Sequence, residues 1–234
     1  MLSLGLYNID LNSRIAKGSF GVVYNGSHKK RHFNIAAKQC ELKESEDGKI
    51  HKDKRGELAL LEIKNWQELK HPHIVELYDY HFKDNSFWMI MEFCEAGSLD
   101  TYVCANNPNL SELIDIMYQS ASAIHYMHSK LNPTVHRDVK PTNILMMRAG
   151  SYYIAKIADL GLAKTVELSE TARTLIFSSK CGTYHYTAPE LFMADTHKFG
   201  KYVDIFALGL VFLAIISHRD GESTLKLPTG NNTP

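Results

Sequence analysis

The sequence predicts an α+β chain with two lobes, a small and mostly β N-terminal lobe followed by a mostly helical C-terminal one. Three observations carry this. Residues 9–24 alternate strand formers around glycines, the pattern of a strand, a tight turn and a second strand. After Ala96-Gly97 the apolar period changes from that of a strand to that of a helix. Leu113, Ile116, Met117, Ser120, Ile124 and Met127 then fall on one long helical stripe ending at His128. A chain of 234 residues is large enough to bury a core in each lobe.

Taken in order, Val22, Val23 and Tyr24 close the first hairpin, and Phe33 to Cys40 reads as the next strand. Glu41 to Arg55 is charged and contains glycine, which predicts a loop or a helix start. Leu58, Leu61, Trp66 and Leu69 recur near helical spacing over Glu57–Leu69. Ile74–Phe82 and Phe87–Phe93 read as strands joined by the turn Lys83-Asp84-Asn85-Ser86. In the C-terminal lobe Met146-Met147 suits a strand core. Ile205–Ile216 is hydrophobic all round, so it expects burial on every side. Residues 218–234 are polar and rich in Gly, Pro, Thr and Asn, a composition that predicts a disordered tail.

Composition narrows the function classes. The formal net charge is zero, so no nucleic-acid or acidic-membrane partner is expected, and the basic run Lys29-Lys30-Arg31-His32 reads as a solvated turn. Cys40, Cys94, Cys104 and Cys181 lack CxxC spacing, which argues against zinc and for free thiols in a reducing compartment. Met1–Leu6 is apolar without a basic flank, so no signal peptide is expected. The Ile205–Ile216 run is too short to span a bilayer. A cytoplasmic or nuclear location follows from these readings.

The chemistry concentrates in His136-Arg137-Asp138-Val139-Lys140-Pro141-Thr142-Asn143, followed by Asp159-Leu160-Gly161. Upstream stand Ala16-Lys17-Gly18-Ser19-Phe20-Gly21-Val22-Val23, Ile35-Ala36-Ala37-Lys38, His71-Pro72-His73-Ile74-Val75 and Met91-Glu92-Phe93-Cys94. Downstream stand Gly182-Thr183, Ala188-Pro189-Glu190 and Asp204 at the head of an apolar helix. In this order the motifs resemble those of the eukaryotic protein kinases. The resemblance covers residues 9–217, with an N-lobe over about 9–93 and a C-lobe over about 97–217. It implies a bilobal protein-kinase-like fold with a small antiparallel sheet and a helical lobe lacking its last helices. The hinge and its neighbours look like the inhibitor-of-kappa-B kinase neighbourhood.

The resemblance also implies roles. ATP and magnesium are the expected cofactors. Ile15, Ala16, Gly18 and Gly21 would form the loop over the phosphates, where Ala16 replaces the family's first glycine. Val23, Ala36 and Leu145 would sandwich the adenine ring, Met91 would be the gatekeeper, and Glu92 and Cys94 would offer it backbone hydrogen bonds. Lys38 would pair with the phosphates and be held by Glu62, with Glu57 as the rival position. Asp138 would accept the substrate hydroxyl proton, Lys140 would steady the γ-phosphate, and Asn143 and Asp159 would hold magnesium. Leu160 stands where phenylalanine is usual and would stack with His136, Trp66 and Leu77.

Lys140 and Gly182-Thr183 resemble serine/threonine kinases, so the implied substrate is a protein Ser or Thr hydroxyl. Arg137 often pairs with an activation-segment phosphate in this family, and Ser179 lies where many relatives carry that site. An upstream kinase or a chaperone is the implied partner. A second reading is a truncated kinase-like protein that binds ATP or partners with little or no catalysis. It rests on the uncovered Ile205–Ile216 run, which would then expose an apolar patch.

Overall fold

The computed structural model describes residues 1–18, 21–41, 63–64, 66–131, 133–160, 164–165, 184–192, 200–218 and 225. The chain divides into two compact units. One comprises Met1–Lys70 and Val75–Phe93; the other comprises His71–Ile74 and Cys94–Pro234.

The first unit is built on a six-stranded antiparallel sheet. Its strands are β1 (Leu2–Leu4), β2 (Tyr7–Gly18), β3 (Gly21–His28), β4 (Asn34–Glu41), β5 (Leu77–Lys83) and β6 (Ser86–Glu92). Their spatial order is β1-β2-β3-β4-β6-β5. Because side chains alternate across a strand, the register sorts them into two faces. Leu4, Tyr7, Ile9, Ile35, Ala37, Trp88 and Ile90 form one buried cluster. The opposite face carries the row Ala16, Val23, Lys38 and Met89, and beside it the pair Ala36 and Met91. The β5–β6 turn places Asp84 and Asn85 at φ of 50° and 53°, a left-handed pair suited to short polar side chains.

The second unit holds α1 (Leu99–Asn106), α2 (Leu110–His128) and α3 (Tyr202–Ile216). It also holds two antiparallel ribbons. One pairs β7 (Thr134–Val135) with β10 (Lys164–Thr165), the other β8 (Ile144–Ala149) with β9 (Tyr152–Ile157). Asn109 and Glu112 close a reciprocal capping box that starts α2, each side chain accepting the other's backbone N–H. The face of α2 carrying Ile116, Ala123, Ile124 and Met127 is buried. On α3, Val203, Asp204, Ala207, Leu208, Val211, Ala214 and Ile215 are buried. No helix among the described residues is long and apolar enough to cross a membrane.

Several elements depart from the sequence expectation. The strand expected from Ile74 begins at Leu77. Ile74 instead donates its N–H to His71 O at 3.1 Å and bridges in parallel to Ile157 of the second unit. Strand β1 precedes the expected start at residue 9, and helix α1 was not visible in the apolar pattern. Ile63, Lys64, Trp66 and Gln67 are helical, within the expected Glu57–Leu69 element; its residues 57–62 lie outside the described residues. Helix α3 is apolar from Ile205 onward but not buried on every side: Ile205 is 51% exposed, Leu213 46% and Ile216 52%.

Candidate active site

The first unit offers a hairpin and a buried lysine. Gly18 pairs with Gly21 at the end of the β2–β3 ladder. Gly21 has φ of 142°, and a Cβ there would lie 2.0 Å from Gln39 O. The glycine is therefore demanded by the neighbouring strand β4 before any ligand is considered. Ile15 falls at a register shift between the pairs Arg14–Tyr24 and Ala16–Val23, a β-bulge, and is 43% exposed. Lys38 sits mid-strand, opposite Val23 and Met89, and is only 8% exposed. Ala36 and Met91 are directly paired and equally buried. Hence Ala16, Val23, Ala36, Lys38 and Met91, named from sequence alone, share one face of one sheet. Glu92 donates its N–H to Glu76 O at 2.9 Å, so this backbone can offer a ligand an acceptor and not a donor.

The second unit holds the carboxylates. The chain after Cys94 is tied to β8: Ala96 N–H donates to Met146 O at 3.0 Å, and Met146 N–H to Gly97 O at 2.8 Å. Ser98 and Leu145 form an antiparallel backbone bridge. The 3₁₀ turn Pro141–Asn143 then folds Asn143 back onto Asp138. Asn143 Nδ2 donates to Asp138 O at 2.8 Å and to Asp138 Oδ2 at 2.9 Å, while Lys140 Nζ donates to the same Oδ2 at 2.8 Å. Among the described residues Asp138 Oδ1 takes part in none of these bonds. Asn143 likewise spends its amide nitrogen and keeps its carbonyl oxygen, a hard donor, outside them. Asn143 O accepts from Ala158 N–H at 2.8 Å, one step beyond the last β8–β9 pair, Ile144–Ile157. Asn143 and Asp159 thus leave the same end of one ribbon. Asp159 has φ of 59° and Arg137 φ of 69°, left-handed backbone at two non-glycine residues of the motifs.

A buried carboxylate on α3 holds this loop. Asp204, fully buried, accepts from His136 N–H at 2.8 Å and His128 Nε2–H at 2.8 Å through Oδ2, and from Arg137 N–H at 2.7 Å through Oδ1. Asp138 N–H donates to His136 Nδ1 at 3.2 Å, which places the imidazole proton on Nε2, where it is donated to Ala158 O at 2.9 Å. His136 thereby links the two motifs. Sequence reasoning named Asp204 only as a landmark. Its signal was present: it is the sole charge in Tyr202–Ile216, and a charge in an apolar helix needs partners. A hollow of about 10 Å³, the space of one water, lies beside Asp138 and is lined by Tyr186 and Thr187. Burial, then the Asp100 charge, pushes the Tyr186 phenol above its ordinary value.

Trp66 is buried and donates its indole N–H to Val75 O at 2.9 Å, a core role within the first unit. Leu77, His136 and Leu160 are buried; Leu77 belongs to the first unit and the other two to the second. Glu62, Glu57, Ser179 and Gly182-Thr183 lie outside the described residues.

A loop carboxylate bound by a lysine and an amide in one unit, and a buried lysine on a glycine-hairpin sheet in the other, are each features found in nucleotide-dependent phosphoryl-transfer proteins. Residues 9–222 match the protein kinase domain, and the chain belongs to that family. It is 34% identical over 89% of its length to human serine/threonine-protein kinase ULK1, of which it covers 19%. It is 35% identical over 71% of its length to serine/threonine-protein kinase PrkC of Bacillus subtilis, covering 25% of that protein. It is 31% identical over 88% of its length to mouse cyclin-dependent kinase-like 4, covering 55%. The chain therefore spans from about a fifth to just over half the length of these relatives. The family generally uses ATP and magnesium. The hard oxygens of Asp159 and Asn143 and the buried cation of Lys38 fit that pair.

Proposed function

We propose that this chain is a serine/threonine protein kinase that moves the γ-phosphate of ATP to protein Ser or Thr hydroxyls. The observation that carries the reading is the two-donor grip of Lys140 and Asn143 on Asp138 Oδ2. It turns Oδ1 into the acceptor for a substrate hydroxyl, which Asp138 orients and deprotonates. Lys140 also steadies the γ-phosphate as its charge shifts. Lys38 pairs with the α and β phosphates; Gly18 and Gly21 admit backbone N–H groups to them; Ile15 and Ala16 complete that loop. Val23, Ala36, Met91 and Leu145 enclose the adenine ring, with Glu92 and Cys94 giving backbone contacts and Glu62 steadying Lys38. ATP would supply the phosphoryl group, and Asn143 and Asp159 would hold the magnesium that neutralises its charge. Arg137 and Ser179 are proposed as a regulatory pair ordered by phosphorylation, and the compartment is cytoplasmic or nuclear.

The test is magnesium-dependent transfer from labelled ATP to a generic Ser/Thr protein substrate. Asp138→Asn keeps the size of the side chain and both donors' partners. It is expected to lower transfer by about 10²-fold or more while ATP binding persists. Equal transfer by the variant and the parent would sink the assignment. A second reading, nucleotide or partner binding with little transfer, is favoured by the exposed apolar residues of α3. Soluble protein that binds ATP and transfers nothing would support it.

A further inference from the structure

Buried polar side-chain atoms are normally matched, so an unmatched one asks what would match it. Among the described residues three such atoms lack a hydrogen-bond partner, and one is a carboxylate oxygen, Asp100 Oδ1. Asp100 is half-buried in the first turn of α1. Its Oδ1 reaches neither water nor a donor. The ion pairs among the described residues do not include Asp100. The hydroxyls of Ser98 and Thr101, its neighbours along the chain, bond each other at 3.0 Å. Asp204 is the contrast, a buried carboxylate whose two oxygens take three hydrogen bonds. The positive end of α1 favours an acid in its first turn, but that gives Oδ1 no hydrogen.

The place of Asp100 bears on the substrate. Helix α1 packs on the 3₁₀ turn Pro141–Asn143, whose Asn143 holds Asp138. The Asp100 charge acts on the phenol of Tyr186, and Tyr186 and Thr187 line the hollow beside Asp138. Asp100, Asp138 and Tyr186 all belong to the second unit. A peptide whose hydroxyl meets Asp138 brings its neighbouring residues within reach of Tyr186 and the start of α1. Lys140, a cation of the same loop, is held on Asp138 Oδ2 at 2.8 Å.

We infer that Asp100 selects protein substrates carrying an arginine a few residues from the Ser or Thr that is phosphorylated. The inference rests on the kinase reading given above. A guanidinium brings two parallel N–H donors, one for the buried Oδ1 and one for Oδ2, in the plane that a carboxylate fits. Lysine brings a point charge without that fork, and glutamate meets a like charge. Asp100 thus chooses the substrate, whereas Asp138 acts on its hydroxyl.

The experiment uses the full chain and short, end-capped alanine peptides with one serine, a single arginine standing at each other position in turn. Binding is read by fluorescence anisotropy of labelled peptides, and transfer by kcat/KM with magnesium and labelled ATP. Arginine at one position, or at two adjacent ones, is expected to improve binding about tenfold over alanine. Asp100→Asn is expected to reduce that preference to about twofold or less, and Asp100→Lys to move it to glutamate at the same position. A purely structural role would not invert the preference. Equal binding of all the peptides, no binding by folded protein, or a preference that Asp100→Asn retains overturns the inference. Position-specific binding without transfer keeps the inference and sinks the kinase reading; transfer without an arginine preference does the reverse.

Discussion

Asp204 anchors the His136–Asn143 loop from outside it. Its two oxygens take three hydrogen bonds, from two backbone amides and one imidazole. Removing it would leave those donors buried and unmatched, a loss of about 3–5 kcal/mol. Asp204→Ala is therefore expected to lower the thermal midpoint by many degrees, and Asp204→Asn, which keeps one acceptor oxygen, by less. Equal midpoints for parent and alanine variant would refute this. The residues of the loop itself were legible because Asp138, Lys140 and Asn143 stand in an ordered motif. What stayed hidden was which oxygen each donor grips, since spacing along a chain does not fix side-chain direction. The left-handed backbone of Arg137 and Asp159 was hidden too, because neither residue type demands it.

The β2–β3 hairpin was readable from its glycines and β-branched residues, yet the reason for Gly21 was not. Its requirement comes from Gln39 O, on a strand that sequence cannot place beside it. Gly21→Ala is expected to destabilise the chain by roughly 2 kcal/mol or more, from the closed contact and the positive φ together. Urea unfolding measures this, and a midpoint shift near zero would refute it. The start of α2 was written in Asn109 and Glu112, a signal that the apolar stripe alone overlooked. Helix α1 has no comparable stripe, since only Leu99, Tyr102 and Val103 are buried along it. At the segment His71–Ile74, burial, then the His73 charge, lowers the His71 imidazole below its ordinary 6.5. Burial does the same to His73, against a raising bond to Ala155 O. Both rings then bind protons more readily in the unfolded chain. Stability is thus expected to fall as pH drops below about 6.5 and to be retained above it. Replacing both histidines by glutamine should flatten that part of the profile in thermal unfolding from pH 5 to 7.5; an unchanged slope would refute it.

On the scale of the whole molecule, the order of β strands, then helices, was legible because each period runs through many residues. The extent of each unit was less so, since Ile74 follows His71 into the second unit through one bridge and one turn bond. Helix α3 carries the largest surface consequence. Ile205, Phe206, Leu213 and Ile216 are exposed along it, an apolar stripe that favours association in water. Changing Ile205→Glu and Leu213→Lys together is expected to raise the soluble fraction several-fold at a cost near 0.5 kcal/mol per site. Light scattering and centrifugation would read this, and unchanged aggregation would refute it. The Asp204 tether also has a meaning in time. The amides of His136 and Arg137 find their acceptor 68 and 67 residues further along the chain. During synthesis, at roughly 5–20 residues per second, the loop must wait several seconds for that acceptor to be made. A ribosome that has finished the recognisable motif has not yet finished the geometry, and a nascent chain stalled before Asp204 carries the words of a kinase without its grammar.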